Sequence, residues 1–250
     1  MGKTLVLTLS SPDQRNALGP EIYAAGVQAL EQAGHQAQIG SVVITGEGAN
    51  FCAGGNLQRL LANRSQPPEG QEQSIEQLHA WLSAIRQCPK PVIAAVEGAC
   101  AGAGFSLALA CDLLVAARDT VFVMAYANVG LSPDGGASWS LSRALPRVLA
   151  NEIFLTGNRC SALQLQQWGL VNQTPEPGQA LSQAMKLSKA LNARAPNVLA
   201  SIKSLVQSAQ QCGWAEQLAL ERDHFVANLH HPNGLEGIDA FLSKREPKYL

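Results

Sequence analysis

Apolar residues alternate at Leu5, Leu7 and Leu9, the two-residue period of a strand, and Ser10-Ser11-Pro12-Asp13 then supplies turn chemistry. From Pro20 to Ala33 the period lengthens. Ile22, Ala25, Val27, Leu30 and Ala33 recur at helical spacing, with proline at an acceptable first-turn position, so the pattern predicts a helix. Ser41 to Thr45 is a short buried strand that opens into a glycine-rich loop, Gly46 to Gly55. The polar segment Asn63 to Glu72 predicts a mobile loop. A helix fits Gln73 to Cys88, and Pro89-Lys90-Pro91 stops it before a strand at Val92 to Val96. A second small-residue run, Gly98 to Gly104, leads into a helix through Ala110, then strands at Leu113 to Ala116 and Val121 to Val123. Helices are predicted over Gly135 to Arg147, Leu149 to Leu155, Ala162 to Trp168 and Gly178 to Asn192, and everything from Ala195 onward reads as helix. The chain shows no internal sequence repeat. Strand and helix alternate until about Ala193 and helix alone follows, which places the expected domain boundary there: an α/β core over 1–193 and a helical region over 194–250.

Composition narrows the classes. The 250 residues are 46% apolar and 15% charged, with 18 Lys and Arg against 19 Asp and Glu, for a formal charge of −1. Such a chain can bury a substantial core, and its neutral sum argues against a broad nucleic-acid surface. The six cysteines, at 52, 88, 100, 111, 160 and 212, show no metal-ligand spacing and read as small buried hydrophobes. No metal or redox cofactor is indicated. The start, Met1-Gly2-Lys3-Thr4, lacks a secretory or myristoylation pattern, so a reducing cytoplasm is the expected compartment. The apolar stretch Pro91 to Ala117 is interrupted by Glu97 and Asp112 and is rich in glycine, which predicts protein core and no membrane partner.

Candidate chemistry gathers at the two small-residue loops, Cys52-Ala53-Gly54-Gly55-Asn56 and Ala101-Gly102-Ala103-Gly104. Each can present main-chain N–H groups to a ligand with no side chain in the way. If the second loop opens a helix, its first N–H groups are unpaired and carry the positive end of the helix dipole, which suits a developing oxyanion. Taken singly, each loop reads more readily as a tight turn or a close helix–strand contact.

With their flanks, the loops resemble the crotonase (enoyl-CoA hydratase/isomerase) superfamily. The resemblance rests on Arg15-Asn16-Ala17-Leu18, Thr45-Gly46-Glu47-Gly48 through Phe51 to Leu57, and Lys90 to Val96 through Ala110-Cys111-Asp112. It continues through Gly130 to Gly136, Leu155-Thr156-Gly157, Trp168-Gly169-Leu170-Val171 and Ala240 to Arg245, and so covers essentially the whole chain in order. It implies a spiral of ββα turns with a C-terminal helical region that builds trimers, often paired into hexamers. It further implies an acyl-CoA thioester substrate, coenzyme A being part of that substrate, with the thioester oxygen held as an enolate by the Gly55 and Ala103 N–H groups. Ala53, Gly54, Leu57 and Gly102 flank those donors. The resemblance also implies Arg15 and Ala17 along the CoA, and Phe241 and Lys244 near a CoA of the same or a neighbouring subunit. Arg15 and Lys244 read as well as solvated surface charges.

Three departures shape the expected reaction. The two glutamates with which hydratases of this family add water are replaced by Ser106 and Tyr126, neither a carboxylate at neutral pH, which disfavours hydration. Asn56 stands where aspartate is usual. The carboxylate that remains is Asp134, in Ser-Pro-Asp-Gly-Gly, at the position of the acid–base residue in the Δ3,Δ2-enoyl-CoA isomerase branch; a residue capping the next helix is the alternative. In the 4-chlorobenzoyl-CoA dehalogenase branch the nucleophilic aspartate aligns with Asp134 and a water-activating histidine with His79, so dehalogenation is a second expectation. A lone helical histidine is more often a packing or surface residue. A non-catalytic acyl-CoA binder is the competing class.

Overall fold

A computed structural model describes residues 2–250. Four parallel strands, β1 (Thr4–Leu9), β2 (Ser41–Gly46), β3 (Val92–Val96) and β5 (Leu113–Ala116), form one sheet in that order. A second layer carries β4 (Ala99–Ala101), β6 (Val121–Val123) and β7 (Arg159–Ser161), with β4 parallel and β7 antiparallel to β6. Two irregular segments extend this second layer. Ala53 N–H donates to the Arg15 carbonyl at 2.9 Å and Leu18 N–H to Gly54 at 2.8 Å, while Cys52 N–H donates to Ala99 at 3.1 Å and Ala101 N–H to Cys52 at 2.9 Å. Residues 15–18, 52–55, β4 and β6 are therefore successive rungs. The chain makes one rung in each layer and returns through a helix, a ββα spiral whose repeat is architectural and leaves no trace as a sequence repeat.

The return helices are α1 (Pro20–His35), then α2 (Leu57–Asn63) with α3 (Pro68–Gln87), then α4 (Ala103–Ala110). Helices α5 (Ala137–Ala144), α6 (Arg147–Thr156), α7 (Ala162–Gln167) and α8 (Ala180–Leu191) follow β6. Val42 and Ile44 of β2 point into the main core with Leu78, Trp81 and Ile85 of α3. Val43, Ile93, Ala95 and Val115 point the other way, onto Ala180 and Ala184 of α8. A sheet covered on both faces explains why its strands read as continuous apolar runs. The C-terminal helices are α9 (Pro196–Ser208), α10 (Trp214–Leu229) and α11 (Pro232–Leu242).

Several expectations are corrected. The fully buried positions of α1 are Tyr23, Gly26, Leu30 and Ala33; of the other residues that carried the period, Ile22 and Val27 are half-buried against the core and Ala25 is exposed. Trp81 takes the space: a Cβ on Gly26 would fall 2.2 Å from its Nε1. The polar segment Asn63 to Glu72 is not a long loop, because α3 already starts at Pro68, whose fixed φ suits a first turn, with Glu69 favourably placed at the positive end of the dipole. Helix α2 escaped the pattern reading because most of it is exposed; Asn56 caps it, its side chain accepting the Arg59 N–H at 3.0 Å. Strands β4 and β7 have three residues each, too short for a period. The final stretch beyond Leu242 is not helical, and Arg245 there bridges Glu236 and Asp239.

Candidate active site

The spiral dictates where the two glycine loops meet. Gly55 and Ala103 each follow a second-layer rung, in adjacent turns of the coil, so they lie about one strand spacing apart, roughly 4.8 Å. Gly54, at φ +91°, makes the approach possible: an added Cβ would stand 2.8 Å from the Ala101 carbonyl oxygen and 3.3 Å from Ala103 N. Gly102 caps α4 at φ +49° and leaves Ala103 as the first helical residue. Among the described residues, neither the Gly55 nor the Ala103 N–H donates to a main-chain acceptor. Two unspent donors thus border one cavity of about 560 Å³, which also takes in Ala53, Gly54, Leu57, Gly102, Tyr126 and Asp134.

Asp134 is the single acidic residue of that lining among the described residues. It does not cap the following helix: the N-cap of α5 is Gly136, with no side-chain cap bond. Its Oδ1 instead accepts the Tyr126 hydroxyl at 2.7 Å. Burial first, and then the negative charge of Asp134, push the Tyr126 phenol above its ordinary value, so it stays protonated and donating. Ser106 is buried, and its hydroxyl donates to the Gly102 carbonyl at 3.4 Å. Of the two positions expected to lack carboxylates, Tyr126 thus holds the remaining carboxylate, Asp134, while Ser106 bonds to the main chain of Gly102.

The other sequence candidates lie outside this lining. Asn56 is at its edge as the α2 cap and donates to Gln14 at 2.7 Å. Ala17 is half-buried beside the first loop and Arg15 is exposed, with left-handed φ of 51°. Ser106 lies beside Gly135. His79 is exposed on α3, its Nε2 2.6 Å from the main-chain oxygen of Asp134 and away from the cavity. Phe241, near the end of α11, and Lys244, just beyond it, do not reach the cavity of their own chain.

Sequence reasoning missed the far wall, built from α2 and α3 by Leu60, Asn63, Arg64, Gln71 and Ile75. The signal was faint: two exposed leucines, Leu57 and Leu61, within a short helix. It also missed Asn16, fully buried, whose side chain accepts from Ser11 N–H and donates to the carbonyls of Glu47 and Asn50, locking the first rung to the second. The buried thiol of Cys52 accepts the Gly54 N–H at 3.3 Å and is pushed up to about 12 by burial, so it is no nucleophile. Among the described residues no His, Cys, Asp and Glu cluster could hold a metal ion, and no helix is long and apolar enough to cross a membrane.

Comparison with known proteins gives one consistent answer. Residues 2–250 match the family described as enoyl-CoA hydratase/isomerase. The 1,2-epoxyphenylacetyl-CoA isomerase of Escherichia coli K12 is 35% identical over 246 residues, 98% of this chain and 94% of that protein. The 2,3-dehydroadipyl-CoA hydratase of the same organism is 33% identical over 254 residues, 99% of this chain and 95% of that one. The crystal structure of an enoyl-CoA hydratase from Polaromonas sp. JS666 superimposes with a TM-score of 0.99 at 64% identity, covering 100% of this chain and 97% of the other. On its spiral fold, its full-length match and these relatives, the chain belongs to the enoyl-CoA hydratase/isomerase family of acyl-CoA enzymes.

Proposed function

We propose that this chain isomerises an enoyl-CoA thioester, moving a double bond from the Δ3 to the Δ2 position with Asp134 as the sole acid–base residue. The observation that carries this reading is a lone carboxylate in the cavity that holds the free Gly55 and Ala103 donors. The thioester oxygen accepts both N–H groups, which makes the C2 hydrogen acidic. Asp134 removes that proton, the two amides hold the dienolate, and the same carboxyl group returns the proton at C4. No water enters the chemistry, which agrees with the absence of the two hydratase glutamates. An isomerase of a CoA thioester among the relatives supports the same class.

The region 194–250 is proposed to build a homo-oligomer, a trimer or hexamer, in which Phe241 and Lys244 reach a neighbour's CoA. Phe241 is 83% exposed and Phe225 69%, with Ile202 and Val206 also uncovered on these helices. Such apolar exposure is what an interface between copies would remove.

The test is a panel of 3-enoyl-, 2-enoyl- and halobenzoyl-CoA thioesters, with exchange of the C2 hydrogen followed in heavy water. Turnover of the 3-enoyl thioester is expected, and Asp134→Asn should lower it about 10²–10⁴-fold. Comparable hydration of the 2-enoyl thioester, or saturable binding with neither exchange nor turnover, would overturn the reading.

A further inference from the structure

The segment that carries Asp134 has few ties of its own. Residues 132–136 lie in neither helix nor strand. Among the described residues, the N–H groups of Ser132, Asp134, Gly135 and Gly136 donate to no main-chain acceptor. Gly135 has no side chain to lock, and none fits, since an added Cβ would fall 2.6 Å from Ser106 Cβ. Tyr126 steadies the carboxylate end of Asp134. The carbonyl end is met by His79, at 2.6 Å. A carbonyl only accepts, so the His79 Nε2 carries the hydrogen and donates. Leu78, Trp81 and Leu82 anchor the same stretch of α3 in the core, which makes the imidazole a post on a fixed element.

We infer that His79 is a positioning residue: it pins the main chain of Asp134 from behind, so that the carboxylate, held in front by Tyr126, faces the substrate C2. It takes no part in proton transfer, and it does not line the cavity where the acyl group sits. This inference rests on the reading of Asp134 as the acid–base residue. A base misplaced by about an ångström can cost on the order of a hundredfold in rate while the thioester still binds.

Three variants assayed on one 3-enoyl-CoA thioester test it: His79→Ala, His79→Gln and Asp134→Asn. His79→Ala is expected to lower kcat about tenfold to a hundredfold, with KM within about threefold of the parent. His79→Gln, whose amide donates to a carbonyl but cannot shuttle a proton, should recover most of that loss. Thermal midpoints close to the parent's would show that both fold; should His79→Ala fail to fold, His79→Leu, which keeps the bulk but has no donor, takes its place with the same expected loss. A parental kcat in His79→Ala, a loss confined to KM, or a glutamine variant as slow as the alanine one would overturn the positioning role. If instead Asp134→Asn keeps its rate, the assignment of the acid–base residue has failed, a result distinct from failure at His79.

Discussion

At Gly54 the chain runs with φ +91° and passes within a Cβ's width of the neighbouring rung, so one methyl group there has two consequences. It strains a left-handed residue by about 1–2 kcal/mol and pushes against the Ala101 carbonyl just ahead of the Ala103 donor. Gly54→Ala is expected to cost on the order of 10²–10³-fold in kcat, the usual loss for one oxyanion donor, read from steady-state turnover. Tyr126 supports a different expectation. Burial and the charge of Asp134 both raise its phenol, so the neutral donor persists beyond the ordinary phenol value of about 10. The rate should therefore show no alkaline decline from this group below about pH 10. A decline in that range that disappears in Tyr126→Phe would refute the assignment. The same variant, deprived of the bond to Asp134, should lose about tenfold in kcat at unchanged KM.

Elements were legible where a period is long enough to express itself. Strands β1, β2, β3 and β5 and helices α1 and α8 carry runs of apolar residues that only one structure satisfies, and their expected limits agree with the observed ones to within about two residues. The two small-residue loops were legible for a related reason, because small residues in sequence mark places where backbone must approach something closely, whereas the choice of Gly55 and Ala103 within them came from the family resemblance alone. Helix α2 was not legible: it buries no side chain fully, and its ties are the Asn56 cap and its contact with α3. The cavity wall that it forms with α3 has a functional expectation attached. Leu60 lies 3.8 Å from where a Cβ on Gly55 would be, so its side chain borders the Gly55 end of the cavity, where the proposed reaction places the thioester. Leu60→Trp should reduce kcat/KM for long acyl thioesters about tenfold more than for short ones, within the roughly 1–3 kcal/mol that pocket shape commands. Equal losses across a chain-length series would move the acyl group to another wall.

On the scale of the whole molecule, the helices beyond residue 194 are joined to the spiral by a buried cation. Lys203 of α9 donates to the Ile85 carbonyl at 3.0 Å and forms a 2.7 Å ion pair with Asp112, its side chain only 9% exposed. Burial raises the Asp112 carboxyl above its ordinary range, and Lys203 opposes that shift. Lys203→Met removes the counter-charge and leaves a carboxylate that is three-quarters buried. The expected loss is about 2 kcal/mol, less than the roughly 3–5 kcal/mol found when a fully buried pair is broken. Adding Asp112→Asn should recover most of it, because the amide oxygen can still accept the Val92 N–H that Oδ2 now holds at 2.8 Å. The sign with pH follows from the direction of the shift. An acid raised in the folded state favours folding when protonated, so the deficit of Lys203→Met is largest at neutrality and shrinks as pH falls toward the ordinary carboxylate value near 4. Urea midpoints at constant m-value, for parent, single and double variants at pH 7 and pH 5, measure all of this. A single variant as stable as the parent, or a deficit that grows on acidification, would mean that α9 is held by its apolar contacts and not by this pair. Solution mass measured alongside would show whether loosening α9 also loosens the proposed assembly of copies through α9, α10 and α11.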